Sequence, residues 1–182
     1  MKEGSSAPGF TRQTVHNETI SLDDLTADGH HALLIFLRHL GCVPCREHVA
    51  DLLDQRDRLA ATNTRVLAIS FSKSAEYGQR WLEETGADFP LVLDPERELY
   101  EAYQMKHSVS GSWSLETLWF YIKRIFSGGE IHGIQGDPNQ LGGDVIVAPD
   151  GTITLHYPSD EAVDRPSVEM LFGVLEGERA PA

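Results

Sequence analysis

The chain holds two cysteines, Cys42 and Cys45, in the run Cys-Val-Pro-Cys. Two thiols three residues apart on one helical turn are close enough to close a disulfide, and such a pair exchanges electrons with other thiols and disulfides. Two cysteines are no framework for a chain of 182 residues, so the pair reads as redox or metal chemistry and not as a staple. A thiol at a helix start meets unpaired N–H groups and the positive end of the dipole, and both favour the thiolate. Cys42 is therefore expected to be the exposed, low-pKa thiol that attacks, and Cys45, one turn into the helix, the buried one that resolves the adduct. Arg38, His39, Arg46 and His48 lie within a few residues, and Arg38, His39 and Arg46 are the candidates for stabilising the thiolate. His39, Cys42, Cys45 and His48 also follow one another at intervals of three, a two-Cys, two-His set. Zinc ligands usually come as two pairs on separate elements, so one continuous stretch argues for no metal.

The surrounding pattern supplies the elements that must position this pair. Residues 32–37 are short, continuous and apolar, as a strand buried on both faces reads. From Pro44 the period becomes helical, with Cys45, Val49, Leu52, Leu53 and Leu59 on one face. Residues 65–71 and 91–93 read as further strands, separated by a helix over 74–85 that stops at Gly86. Asp94-Pro95 opens a helix through Tyr103. Strands at 144–147 and 152–157 flank the turn Pro149-Asp150-Gly151, and a closing helix starts at Ser159-Asp160 or Asp164. Ahead of all these, residues 10–20 form a short hairpin around Asn17, Ser21 caps one helical turn, and residues 1–9 make a loose arm.

Strand–helix alternation followed by a hairpin predicts an α/β fold with a mixed central sheet and helices on both faces. Residues 104–142 break the alternation. They form an insertion before the last hairpin, with a helix over 115–126 rich in apolar and aromatic side chains. That segment reads as a helix packed on the core, with a substrate lid or a homodimer face as the other uses of such a surface.

The length fits a single domain over 1–182, with flexible ends at 1–9 and 177–182. A net charge of −13 opposes nucleic acid and anionic membranes. The longest apolar run is far short of a membrane span, and residues 1–6 carry no secretory signal, so a cytoplasmic protein is expected.

The run 36–47, Phe-Leu-Arg-His-Leu-Gly-Cys-Val-Pro-Cys-Arg-Glu, resembles the active-site stretch of the thioredoxin superfamily. Gly41-Cys42-x-x-Cys45-Arg46-Glu47 followed by Ala50-Asp51-Leu52 is similar to the peroxiredoxin-like branch of the alkyl hydroperoxide reductase/thiol-specific antioxidant proteins. Phe89-Pro90, residues 94–100, residues 135–143 and Ala148-Pro149-Asp150-Gly151 extend the likeness over most of the chain. The resemblance implies a thioredoxin-like fold, with Cys42 peroxidatic and Cys45 resolving. It implies a peroxide or disulfide substrate, no cofactor, and electrons from a thiol donor such as a thioredoxin. Ile35 and His39 stand where peroxiredoxins carry a proline and a Thr or Ser. Phe36 stands where thioredoxins carry a buried acid, and Gly143 where they carry a cis-proline. The alternative is a thioredoxin-fold binding protein whose cysteines are inert or hold a metal.

Overall fold

The computed structural model describes residues 1–109, Thr117, Trp119, Lys123 and residues 137–177. Its layers follow from the period of one strand, β3 (His31–Phe36). Residues 32–36 have no solvent exposure. Leu33 and Ile35 enter one core, while Ala32, Leu34 and Phe36 enter another. Alternate side chains of a strand point to opposite faces, so a strand this apolar must lie between two layers.

Three parallel strands make one side of the main sheet: β3, β4 (Thr64–Ser70) and β5 (Leu91–Leu93). On the other side of β3 lie β6 (Gly143–Val147) and β7 (Ile153–Pro158), both antiparallel to their neighbours. The spatial order among the described residues is β5-β4-β3-β6-β7. The first core is covered by α2 (Val43–Asp54), α3 (Arg56–Ala61), α4 (Ala75–Thr85) and α6 (Val168–Leu175). The second is covered by α1 (Leu22–Thr26) and α5 (Glu98–Ala102). The expected mixed sheet with helices on both faces is what the structure shows.

Local signals place several ends correctly. β1 (Thr11–Gln13) and β2 (Thr19–Ser21) pair as the expected hairpin, with Asn17 at φ 63° in its turn. Ser21 and Asp24 form a reciprocal cap at the start of α1. Ser74 caps α4, and Gly86 ends it in the left-handed region.

Other ends differ from the sequence reading. The helix opened by Pro44 breaks at Gln55 (φ −107°, ψ 23°), so Leu59 belongs to α3. α5 begins at Glu98 and not at Asp94, because the Asp94 carboxylate lies outside the helix and accepts from the N–H groups of Glu98, Leu99 and Tyr100. The closing helix begins after Ser167. Asp164 instead ties a loop, accepting from the Tyr157 hydroxyl and the Asp160 N–H. The arm at 1–9 is not loose: Gly4 N–H donates to Ile153 O and Ala7 N–H to Gly151 O.

The predicted 115–126 helix lies outside the described residues apart from Thr117, Trp119 and Lys123, which are helical. The two described ends of the insertion meet, with His107 bridged to Gln140. Residues 178–182 also lie outside the described residues. Among the described residues no helix is long and apolar enough to cross a membrane.

Tyr100 fastens the ends of β3 and β4 just before the cysteine loop. It is buried, and its hydroxyl donates to Leu37 O at 2.5 Å, with Ile69 O at 3.0 Å. Replacing Tyr100 by Phe should lower stability by about 1–2 kcal/mol, because buried carbonyl groups lose a partner that no water replaces. Urea unfolding would show this as a lower midpoint at unchanged slope; an unchanged midpoint would count against the role.

Candidate active site

The cysteine loop begins where β3 ends. Cys42 is the N-cap of α2, and its carbonyl accepts from Arg46 N–H at 3.1 Å to close the first turn. That turn brings the Cys42 and Cys45 Cα atoms to 5.3 Å, and the two sulfurs are bonded as a disulfide. This separation is ordinary for such a bond. Both cysteines belong to the first core, at 0% and 1% exposure. The expected exposed Cys42 is therefore corrected: in the oxidised pair it has no solvent exposure and packs in the first core beside Cys45.

The basic residues near the pair in sequence are not gathered on the Cys42 sulfur. Arg46 donates from Nε to Leu40 O at 3.0 Å and pairs through Nη2 with Glu84 at 2.8 Å. Its charge is thus committed to the loop and to α4, which corrects its expected place against a thiolate. His39 is buried, and neither ring nitrogen has a hydrogen-bond partner. Burial, together with the Arg38 charge, pushes its pKa down to about 4, so near neutral pH it carries no charge to lend. Arg38 reaches Pro138 O with Nη2 at 2.6 Å, and its backbone N–H lies 3.5 Å from Cys45 Sγ. In this arrangement the Arg46 guanidinium is paired with Glu84, His39 is uncharged near neutral pH, and Arg38 touches the pair through its backbone.

The charged side chain that does meet the pair, Arg165, comes from a distant part of the chain, and so does the carboxylate that holds it. Asp144 lies opposite Ile35 in the antiparallel pairing of β3 with β6. Directly opposed residues share a face, so Asp144 points with Ile35 toward α2. There His48 Nε2 lies 2.9 Å from Asp144 Oδ1. Arg165, from the segment before α6, places Nη1 at 3.1 Å from Asp144 Oδ2. Its Nη2 donates to Phe36 O at 2.8 Å and lies 3.2 Å from Cys45 Sγ. The Asp144 side chain is fully buried and that of Arg165 is 7% exposed. Burial by itself would raise the Asp144 carboxyl; the charges of His48 and Arg165 outweigh it and hold the group below its ordinary value. His48 is thereby turned to Asp144, so the four-residue set at intervals of three does not converge on one point.

Sequence reasoning missed Asp144 and Arg165. An acid inside the otherwise apolar run Asp144-Val-Ile-Val is a visible signal. Arg165 carries none, because nothing local tells that this segment folds back under β3. A cleft of about 520 Å³ opens beside this network, with Pro44, His48 and Arg165 among its lining residues.

The model of the AhpC/TSA family matches residues 4–155. The human protein "Peroxiredoxin-like 2C" is 32% identical over 161 residues, spanning 79% of this chain and 69% of its own. The Bacillus subtilis "Thiol-disulfide oxidoreductase ResA" is 27% identical over 107 residues, spanning 58% of this chain and 57% of its own. Among solved structures, peroxidoxin BcpB from Mycobacterium tuberculosis superposes with a TM-score of 0.69 at 15% identity, covering 98% of this chain and 99% of that one. At that identity the match speaks for the fold, which is thioredoxin-like.

Proposed function

Because the chain belongs to the AhpC/TSA family, we propose that Cys42 and Cys45 are the reaction centre of a thiol-dependent reductase of peroxiredoxin-like type. The chain is an oxidoreductase of the thioredoxin superfamily; the assignment of steps to sulfurs is our reading. With a peroxide, the Cys42 thiolate takes the terminal oxygen, the O–O bond breaks, and an alkoxide or hydroxide leaves. The Cys45 thiol then displaces water from the sulfenic acid and forms the disulfide. With a disulfide substrate, Cys42 forms a mixed disulfide and Cys45 displaces the second substrate thiolate. In both cases a thiol donor of thioredoxin type returns two electrons to the pair. The chemistry needs no bound cofactor, and each chain carries both sulfurs, so the cycle requires no second copy. A cytoplasmic setting, where thiol donors are kept reduced, fits it.

The observation that carries this reading is the bond between the two sulfurs across the first turn of α2, at the end of the central strand. Consumption of hydrogen peroxide, an organic peroxide and a protein disulfide, each with a thioredoxin-type donor, tests it. At least one should be turned over by the native protein. The Cys45→Ser variant should react once and stop, holding a sulfenic acid or a mixed disulfide that mass spectrometry detects. No turnover of any substrate, with both thiols inert to alkylation until the chain unfolds, would favour a binding protein with inert cysteines.

A further inference from the structure

We infer that Arg165 holds Cys45 as a thiolate, and so makes Cys45 the sulfur that leaves when a thiol opens the disulfide and the thiolate that strikes when the disulfide is made. The proposal rests on the redox reading of the pair, but its central property is measurable without turnover.

The contacts are unequal between the two sulfurs. Cys45 Sγ lies 3.2 Å from Arg165 Nη2 and 3.5 Å from Arg38 N–H. Cys42, although the N-cap, makes no side-chain hydrogen bond to the helix it begins. The guanidinium is held from several sides. Nη1 donates to Asp144 Oδ2 at 3.1 Å and to Gly143 O at 3.2 Å, while Nη2 donates to Phe36 O at 2.8 Å. His48 binds the other Asp144 oxygen, so the carboxylate that orients Arg165 is itself oriented. Gly142 leaves the room: a Cβ there would stand 2.5 Å from Arg165 Nη2 and against Phe36 O. The charged network behind Cys45 therefore draws on its own helix (His48), on β6 (Asp144) and on the segment before α6 (Arg165), and Arg165 is the member that reaches the sulfur. The positive group touches the sulfur, whereas the carboxylate meets the guanidinium on its Nη1 side. Coulomb energy falls with distance, so the cation dominates at Sγ.

The consequence is a direction for the chemistry. A donor thiolate attacks Cys42 Sγ, the Cys42–Cys45 bond breaks, and its electron pair goes to Cys45 beside Arg165. A lower-pKa thiol leaves faster, so attack is steered to Cys42. A second donor thiolate then attacks the donor sulfur in the mixed disulfide. The donor disulfide departs, and Cys42 takes the second electron pair. Two donor thiols are oxidised and one protein disulfide is reduced. Run backwards, the same contact keeps Cys45 deprotonated for resolution.

The Cys42→Ser protein tests this cleanly, because it retains a single thiol. The rate of Cys45 alkylation against pH should rise with a midpoint clearly below that of a free cysteine, about 8.5. Adding Asp144→Asn with Arg165→Met, which removes both charges together, should cut the thiolate fraction at pH 7 about tenfold. Arg165→Lys in the Cys42→Ser background should retain part of it. With both cysteines present, the same charge removal should shift the equilibrium with glutathione about tenfold toward the disulfide, roughly 30 mV. In the native protein, glutathione trapped during reduction should be found on Cys42. A Cys45 midpoint at or above 8.5 in Cys42→Ser, or glutathione on Cys45, overturns the inference, and neither result depends on a charge variant folding. A low Cys45 midpoint in a protein that turns over no oxidant would leave the inference standing while the proposed function falls.

Discussion

Replacing Cys42 by Ser should reduce turnover of every accepted oxidant by on the order of 10³-fold or more, to background. A hydroxyl at this N-cap is as well placed as the thiol, but it neither takes an oxygen from a peroxide nor opens a disulfide at neutral pH. Ser is a favoured N-cap residue, which offsets part of the cost of losing the disulfide and burying a hydroxyl in the first core. The contrast with Cys45→Ser is the informative part. That variant retains the attacking sulfur and should complete one half-reaction, so a single equivalent of oxidant disappears before turnover stops. Stopped-flow consumption of oxidant at enzyme concentrations near that of substrate separates the two. Normal steady-state turnover by Cys42→Ser would remove Cys42 from the mechanism, and normal turnover by Cys45→Ser would remove Cys45 as the resolving thiol.

Replacing Asp144 by Ala should destabilise the protein by about 3–5 kcal/mol, a large part of the 5–15 kcal/mol by which native proteins are stable. The carboxylate has no solvent exposure and stands between His48 and Arg165, whose own side chains are 4% and 7% exposed. Removing it leaves a buried guanidinium without its counter-charge and a buried imidazole without its partner. Asp144→Asn should lose less, because the amide oxygen still accepts one hydrogen bond. The pH dependence has a defined sign. The Asp144 carboxyl is held below its ordinary value in the folded chain, so its contribution is complete above the unfolded value, about pH 4, and disappears as pH falls through the folded one. The gap in urea midpoint between the native protein and Asp144→Asn should therefore be narrower at pH 3 than at pH 7. Equal midpoints for native protein and Asp144→Ala at pH 7 would show that the network contributes nothing to folding.

Much of this fold was legible along the chain, because element type is encoded within a few residues. Continuous apolar residues at 32–37 and helical spacing from Pro44 placed the disulfide at a strand-to-helix junction, and the spacing of Cys42 and Cys45 on one turn set its reach. The caps at Ser21 and Ser74 were equally local. Failures fell where a side chain has more than one partner within reach. Arg46 is one residue from Cys45, yet a flexible cation goes to the nearest uncompensated acceptors, and folding brings Leu40 O and Glu84 to it. His39 lost its role to burial, which sequence position does not report. The cation that meets Cys45, Arg165, and the carboxylate that holds it, Asp144, lie 120 and 99 residues further along the chain. Asp144 arrives because β6 pairs antiparallel with β3 in the register that opposes it to Ile35, and Arg165 because the chain returns beneath Gly142 after β7. The sequence by itself determined that two thiols would face each other at the end of a buried strand. Which of them receives a positive charge was decided by tertiary structure alone, since the fold brings one distant cation within hydrogen-bond range of a sulfur, and at that range an ion in a low-dielectric core outweighs any sequence neighbour turned to solvent or to another partner.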